Sequence, residues 1–178
     1  MRSNIIIRML ERHEVKTVWQ IERREIVHEI YRSVGGKLRL QPEFYDVQDW
    51  PEGEPEIYMP LLLDCFDHGG IFLGAYAGEQ LVAVAVTDAR PGQDYPEVRQ
   101  LSFLHVSHGW RGQGLASNLY RQSMSAAQER GAKGLYISST PTRRTVEFYL
   151  QKGALPVLRP DETLYALEPE DIHLIHRF

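Results

Sequence analysis

Apolar positions along this chain fall into short bursts of two kinds. Continuous or alternating β-branched runs predict strands, and apolar residues three or four apart predict helices. Asn4–Leu10, with Ile5, Ile6 and Ile7, reads as a first strand, and Glu11–Ile21, with Val15, Val18 and Trp19 on one face, as a helix. Gly35 and Gly36 signal a hairpin of Val27–Arg32 against Lys37–Leu40. Gln41–Glu56 is rich in Pro, Gly and acids and reads as an ordered loop, and Ile57–Asp67 as a helix closed by Gly69 and Gly70. Ile71–Tyr76 and Gln80–Thr87 form a second hairpin, and Leu81–Val86, apolar on both faces, predicts a central strand. A long strand, Glu97–Val106, precedes the clearest helix, Gly114–Arg130, whose stripe is Leu115, Leu119 and Ala126. Gly134–Ser138 is a short strand. Thr140 and Pro141 open a further helix ending at Gly153, with Val146, Tyr149 and Leu150 inward. Thr163–Leu167 and Ile172–His176 read as two last strands. The order predicts one mixed α/β domain over residues 1–178.

Composition narrows the function classes. With 178 residues, a sizeable core forms without disulfides or metals. One cysteine, Cys65, excludes an intramolecular disulfide and a Cys-rich zinc site, and it reads as a buried helical residue. The histidines show no metal spacing, so no metal is expected. A net charge of −4 argues against a general nucleic-acid or anionic-membrane binder and leaves cationic molecules as comfortable partners. Neither the opening run through Ile5–Ile7 nor Leu81–Val86 has the length of a membrane span or a signal segment, so a cytoplasmic protein is expected.

The chemistry concentrates after the long strand. Val106 ends it, and Arg111-Gly112-Gln113-Gly114-Leu115-Ala116-Ser117 leads into the clearest helix. Glycines let a ligand approach the backbone, and free N–H groups at a helix start favour an anion such as a pyrophosphate. There is no P-loop pattern, and the third glycine of a dinucleotide fingerprint is missing.

This segment resembles the acetyl-CoA motif of the GNAT superfamily of N-acetyltransferases, Q/R-x-x-G-x-G/A, with Arg111, Gly114 and Ala116 in register. Downstream, Thr142-x-x-Thr145-x-x-Phe148-Tyr149-x-x-x-Gly153-Ala154 is similar to the family's N-x-x-A-x-x-F-Y-x-x-x-G-F, with Thr142 in place of the frequent Asn and Thr145 in place of a small residue. The resemblance is close over Ile71–Ala154 and is only an order of elements before that.

It implies a central, mostly antiparallel sheet with a splayed strand pair and flanking helices, acetyl-CoA as co-substrate, and an amine of a small molecule or protein as acceptor. It implies that the backbone of Leu104 and Val106 pairs with the pantetheine arm. Arg111, Gly112, Gln113, Gly114, Leu115, Ala116 and Ser117 would hold the pyrophosphate, and Thr142 and Thr145 would flank the arm. Tyr149 falls where many members place the acid for the departing thiolate; otherwise it is a core aromatic. Residues 26–56 would form an insertion on the acceptor side. For a general base the candidates are Glu97 and His105, each with a structural alternative: a solvated strand end, or a histidine satisfied inside the sheet. A module that binds acyl-CoA without turnover is the competing function, and a homodimer stays open.

Overall fold

The computed structural model describes residues 4–178, so the first three residues of the domain expected over 1–178 lie outside the described residues. Ile5–Met9 forms β1, and Arg12–Gln20 is a 3-10 helix rather than an α-helix; it still buries Val15 and Val18 on one face. Glu25–Val34 (β2) and Lys37–Val47 (β3) form a separate two-stranded hairpin turning at Gly35 and Gly36, both with positive φ.

Helix α1 spans Glu54–Asp67, and β4 (Ile71–Ala77) and β5 (Gln80–Thr87) follow as a hairpin. Next come β6 (Arg99–Val106), α2 (Leu115–Glu129), β7 (Gly134–Ser139) and α3 (Arg143–Lys152). A two-residue β8 (Leu155–Pro156), α4 (Glu162–Leu167) and β9 (Ile172–Arg177) complete the chain.

Seven strands form the main sheet in the order β1-β4-β5-β6-β7-β9-β8. All pairs are antiparallel except β6–β7. Alternation along the strands sends side chains to two cores. Ala83, Ala85 and Ile137 face Leu119, Val146 and Tyr149 of α2 and α3. Phe72, Val84, Val86 and Phe103 face Val15, Val18, Leu62 and Cys65 on the other side. Burial on both faces explains the continuous apolar run of β5, which lies between β4 and β6.

Three expectations are corrected. Thr163–Leu167 is not a strand but lies in α4, because the Asp161 carboxylate accepts from the backbone amides of Thr163 (3.1 Å) and Leu164 (3.2 Å) and caps a helix there. Residues 41–47 are not loop: they extend β3, with Pro42 beside a bulge in the ladder, where its missing N–H is tolerated. Helix α3 opens at Arg143, not at Thr140 and Pro141, because the Pro141 carbonyl is taken by the Tyr31 amide of β2 at 2.8 Å.

Candidate active site

The parallel pairing of β6 with β7 covers only Arg99–Leu101 against Leu135–Ile137. Beyond Leu101 the two strands part, while β6 stays paired to β5 through Val106. The Ser107 amide donates to Val82 of β5 at 2.8 Å. Strand backbone alternates, so the N–H and C=O groups of Leu104 and Val106 point the other way, into the gap. A wedge is thus built into the middle of the sheet, with the Leu104 backbone and the Val106 amide unpaired on one wall among the described residues.

At the end of that wall the chain turns into α2. Gly112 (φ 74°) and Gly114 (φ 81°) are in the left-handed region, where glycine costs least. Gly114 precedes the helix without a side-chain cap. Among the described residues the amides of Gly112–Ser117 donate to no carbonyl or side chain outside the helix, so the first turn of α2 presents free N–H groups and the positive end of its dipole. Arg111 does not reach out to this turn. Its Nε donates to the Val106 carbonyl at 3.0 Å and Nη1 to the Arg24 carbonyl at 2.8 Å, tying the turn to β6 and to the chain before β2. Burial, with Arg144 close by, pushes the guanidinium pKa down.

Between β6, α3 and the β2–β3 hairpin lies a cavity of about 910 Å³. Leu104, His105, Val106, Arg111, Ala116, Thr142, Thr145 and Tyr149 all line it. Gly112, Gln113, Gly114 and Ser117 form the turn at its end, whereas the Leu115 side chain points into the core. The Thr142 hydroxyl donates to Thr145 Oγ1 at 2.9 Å, so these two side chains are joined along one flank.

Tyr149 is 5% exposed, with its ring against Tyr120 and Phe148. Its hydroxyl makes no hydrogen bond among the described residues, and it is not one of the sealed polar atoms. Burial pushes its pKa well up, so the phenol stays protonated and can donate. His105 sits on the other face of β6, against Trp50 (4.9 Å between ring centroids) and Phe103 (5.4 Å). Burial, with Arg23 and Arg111 adding, pushes its pKa down to about 3. The imidazole is therefore neutral and too weak a base to hold a proton near pH 7.

Glu97 is not brought to the cavity. It precedes β6, at the end where β6 is still paired with β7, and does not line the cavity. There Arg177 pairs with it at 2.8 Å, and with its own backbone amide holds its carboxyl below the usual range. Cys65 also lies elsewhere, buried in α1 beside Asp88, and burial pushes its thiol up to about 12.

The residues that sequence reasoning missed come from the hairpin and from α3's first turn. Tyr31 donates to Glu147 (2.9 Å), Arg143 pairs with Glu29 (2.7 Å), and Arg144 lies 3.6 Å from Glu25. These ties dock β2 along the cavity. The signal in the sequence was weak, because a strand of alternating charge, such as Glu25–Arg32, reads as a solvated surface.

Among the described residues no helix is long and apolar enough to cross a membrane. A search of curated proteins finds no match. Solved structures share the whole fold at low identity. Nourseothricin acetyltransferase is 16% identical, with a TM-score of 0.69 over 96% of this chain and 95% of that one. A protein from Bacillus anthracis described as a streptothricin acetyltransferase, in complex with acetyl coenzyme A, is 16% identical, with a TM-score of 0.65 over 100% and 99%. PaiA N-acetyltransferase from Thermoplasma acidophilum, in complex with coenzyme A, is 14% identical, with a TM-score of 0.63 over 98% and 99%. The model of the acetyltransferase (GNAT) family matches residues 37–154, which begins well before the stretch from Ile71 where the motifs alone are close. With the splayed sheet and the glycine turn, that match makes this chain a member of the GNAT acetyltransferase family.

Proposed function

We propose that the protein transfers the acetyl group of acetyl-CoA directly to an amine held in the same cavity. The observation that carries this reading is the convergence of three features on one space: the Leu104 backbone and the Val106 amide left unpaired on the strand, free amides at Gly112–Ser117, and the buried hydroxyl of Tyr149. An extended amide-bearing arm suits the strand wall, and a pyrophosphate suits the helix start. Thr142 and Thr145 would flank the arm. The hairpin would border the side from which the acceptor enters. Tyr149 would donate to the thiolate as the C–S bond breaks.

Purified protein with acetyl-CoA and a panel of amines (1,5-diaminopentane, lysine amide, a lysine peptide) tests this. Free thiol is expected to appear in step with acetylated amine. Thiol release that ignores every amine would overturn the reading. No acyl-enzyme is expected, because Cys65 is buried away from the cavity with a thiol that resists ionisation. Cys65→Ser should keep most of the turnover; an acetyl group trapped on Cys65, with turnover lost in a folded variant, would contradict direct transfer.

A further inference from the structure

Five arginines and four glutamates line the cavity, so it carries an excess of positive charge in a chain whose net charge is −4. Each of these glutamates is answered from within the lining. Glu25 stands 3.6 Å from Arg144, and Glu29 and Glu147 lie 2.7 Å and 2.9 Å from Arg143. Glu170 pairs with Arg32. Arg111 and Arg23 are left over. Arg111 lies at the turn into α2, its hydrogen bonds among the described residues made to backbone carbonyls, where a pyrophosphate would balance it. Arg23, ahead of β2, stands with His105 on the other side of β6.

Trp50, between β3 and α1, is the platform there. Its indole N–H donates to the Ile21 carbonyl at 3.0 Å. Its ring carries the Arg23 guanidinium over one face at 4.7 Å and meets the His105 imidazole in a T-shaped contact at 4.9 Å. The Arg23 side chain is 18% exposed. Of its five N–H donors one makes a hydrogen bond among the described residues, at 3.5 Å to Glu54, which does not line the cavity. A guanidinium held so far out of water is costly unless its donors are met. A second, independent observation lies beside it. Neither ring nitrogen of His105 has a hydrogen-bond partner among the described residues, and neither is one of the sealed polar atoms. Two polar groups thus line one part of the cavity with hydrogen-bonding capacity unused, next to the strand wall at Leu104 and Val106.

We propose that Arg23 binds a carboxylate of the acceptor, so that the amine acetylated in this cavity belongs to an amino acid. This rests on the reading of the cavity as the site of acetyl transfer to an amine. A guanidinium fork meets a carboxylate through two parallel N–H···O bonds, and stacking on Trp50 presets the plane of the fork. A carboxamide in that place loses the charge and one acceptor oxygen, and an ammonium meets a like charge. Neutral His105 offers one donor and one acceptor to the same molecule. With its carboxylate held at Arg23, the acceptor has its amine end left to face the thioester.

The test compares thiol release from acetyl-CoA with the L-amino acids, lysine among them, and with the carboxamide of each. The best acids are expected to exceed their amides by ~10–100-fold in kcat/KM, the range for one hydrogen bond to a charged group. Arg23→Gln should bring acid and amide level by raising KM for the acid, with kcat and the acetyl-CoA thermal shift kept. Arg23→Lys, which keeps the charge without the fork, should hold part of the preference. Amides that turn over as fast as their acids in the wild type would overturn the proposal, and that comparison needs no variant to fold. So would an Arg23→Gln variant that melts lower and keeps the acid preference, which marks an arginine that only braces Glu54 and Trp50. Loss of the acetyl-CoA shift in Arg23→Gln would assign Arg23 to the co-substrate and overturn it too. Turnover confined to 1,5-diaminopentane and lysine peptide would overturn the amino-acid acceptor and leave acetyl transfer standing. Absence of turnover with every amine, the amides and the diamine included, would instead remove the underlying reading.

Discussion

Acetyl-CoA is expected to stabilise the wild-type protein against heat, and Gly114→Asp is expected to lose that stabilisation. At ligand near 100-fold over its dissociation constant, that stabilisation amounts to about 2.7 kcal/mol. A Cβ built on Gly114 meets nothing within 4 Å, so the new side chain has room. Its cost to folding is the left-handed φ of 81°, about 1–2 kcal/mol for a residue with a side chain. A carboxylate at a helix start also offsets part of that cost through the dipole, so the variant should fold. The same interaction is what removes the ligand: the carboxylate occupies the free amides of Leu115–Ser117 and repels a pyrophosphate. Gly114→Ala separates the two effects, since it carries the strain without the charge and should keep most of the shift. A full acetyl-CoA shift in Gly114→Asp would mean that the anion lies elsewhere.

Tyr149→Phe should fold as the wild type does and turn over ~10–1000-fold more slowly, the range for losing one acid or one preorganised donor. The departing thiolate has a pKa near ~8.5 by analogy with a cysteine thiol, so a proton or a strong hydrogen bond helps it leave at neutral pH. The phenol is suited to this because burial keeps it protonated throughout the working range. Its hydroxyl has no hydrogen bond within the described residues to lose, so the melting temperature should stay put. If stability dropped by about 1 kcal/mol and turnover persisted, the hydroxyl would be a core partner and not an acid.

What could be read from the sequence was local. The glycine turn at Gly112 and Gly114 and the helix with Phe148 and Tyr149 depend on spacing over a few residues, and both lie against the cavity. The face of β6 also followed from alternation, which sets Leu104 and Val106 apart from His105. Glu97 could not be placed, because whether a residue at the start of a strand is near the chemistry depends on where pairing with β7 ends, three residues into the ladder. The misread strand at Thr163–Leu167 has a local cause. Its apolar spacing suits either element, and the capping Asp161 decides for helix.

The most direct test of the central claim is amide hydrogen exchange with and without saturating acetyl-CoA. Exchange should slow at Gly112–Ser117 and at Leu104 and Val106, the backbone left unpaired where β6 leaves β7, while β8 and β1 stay unchanged. Protection confined to other elements, or none at all, would contradict the placement of the ligand in this gap.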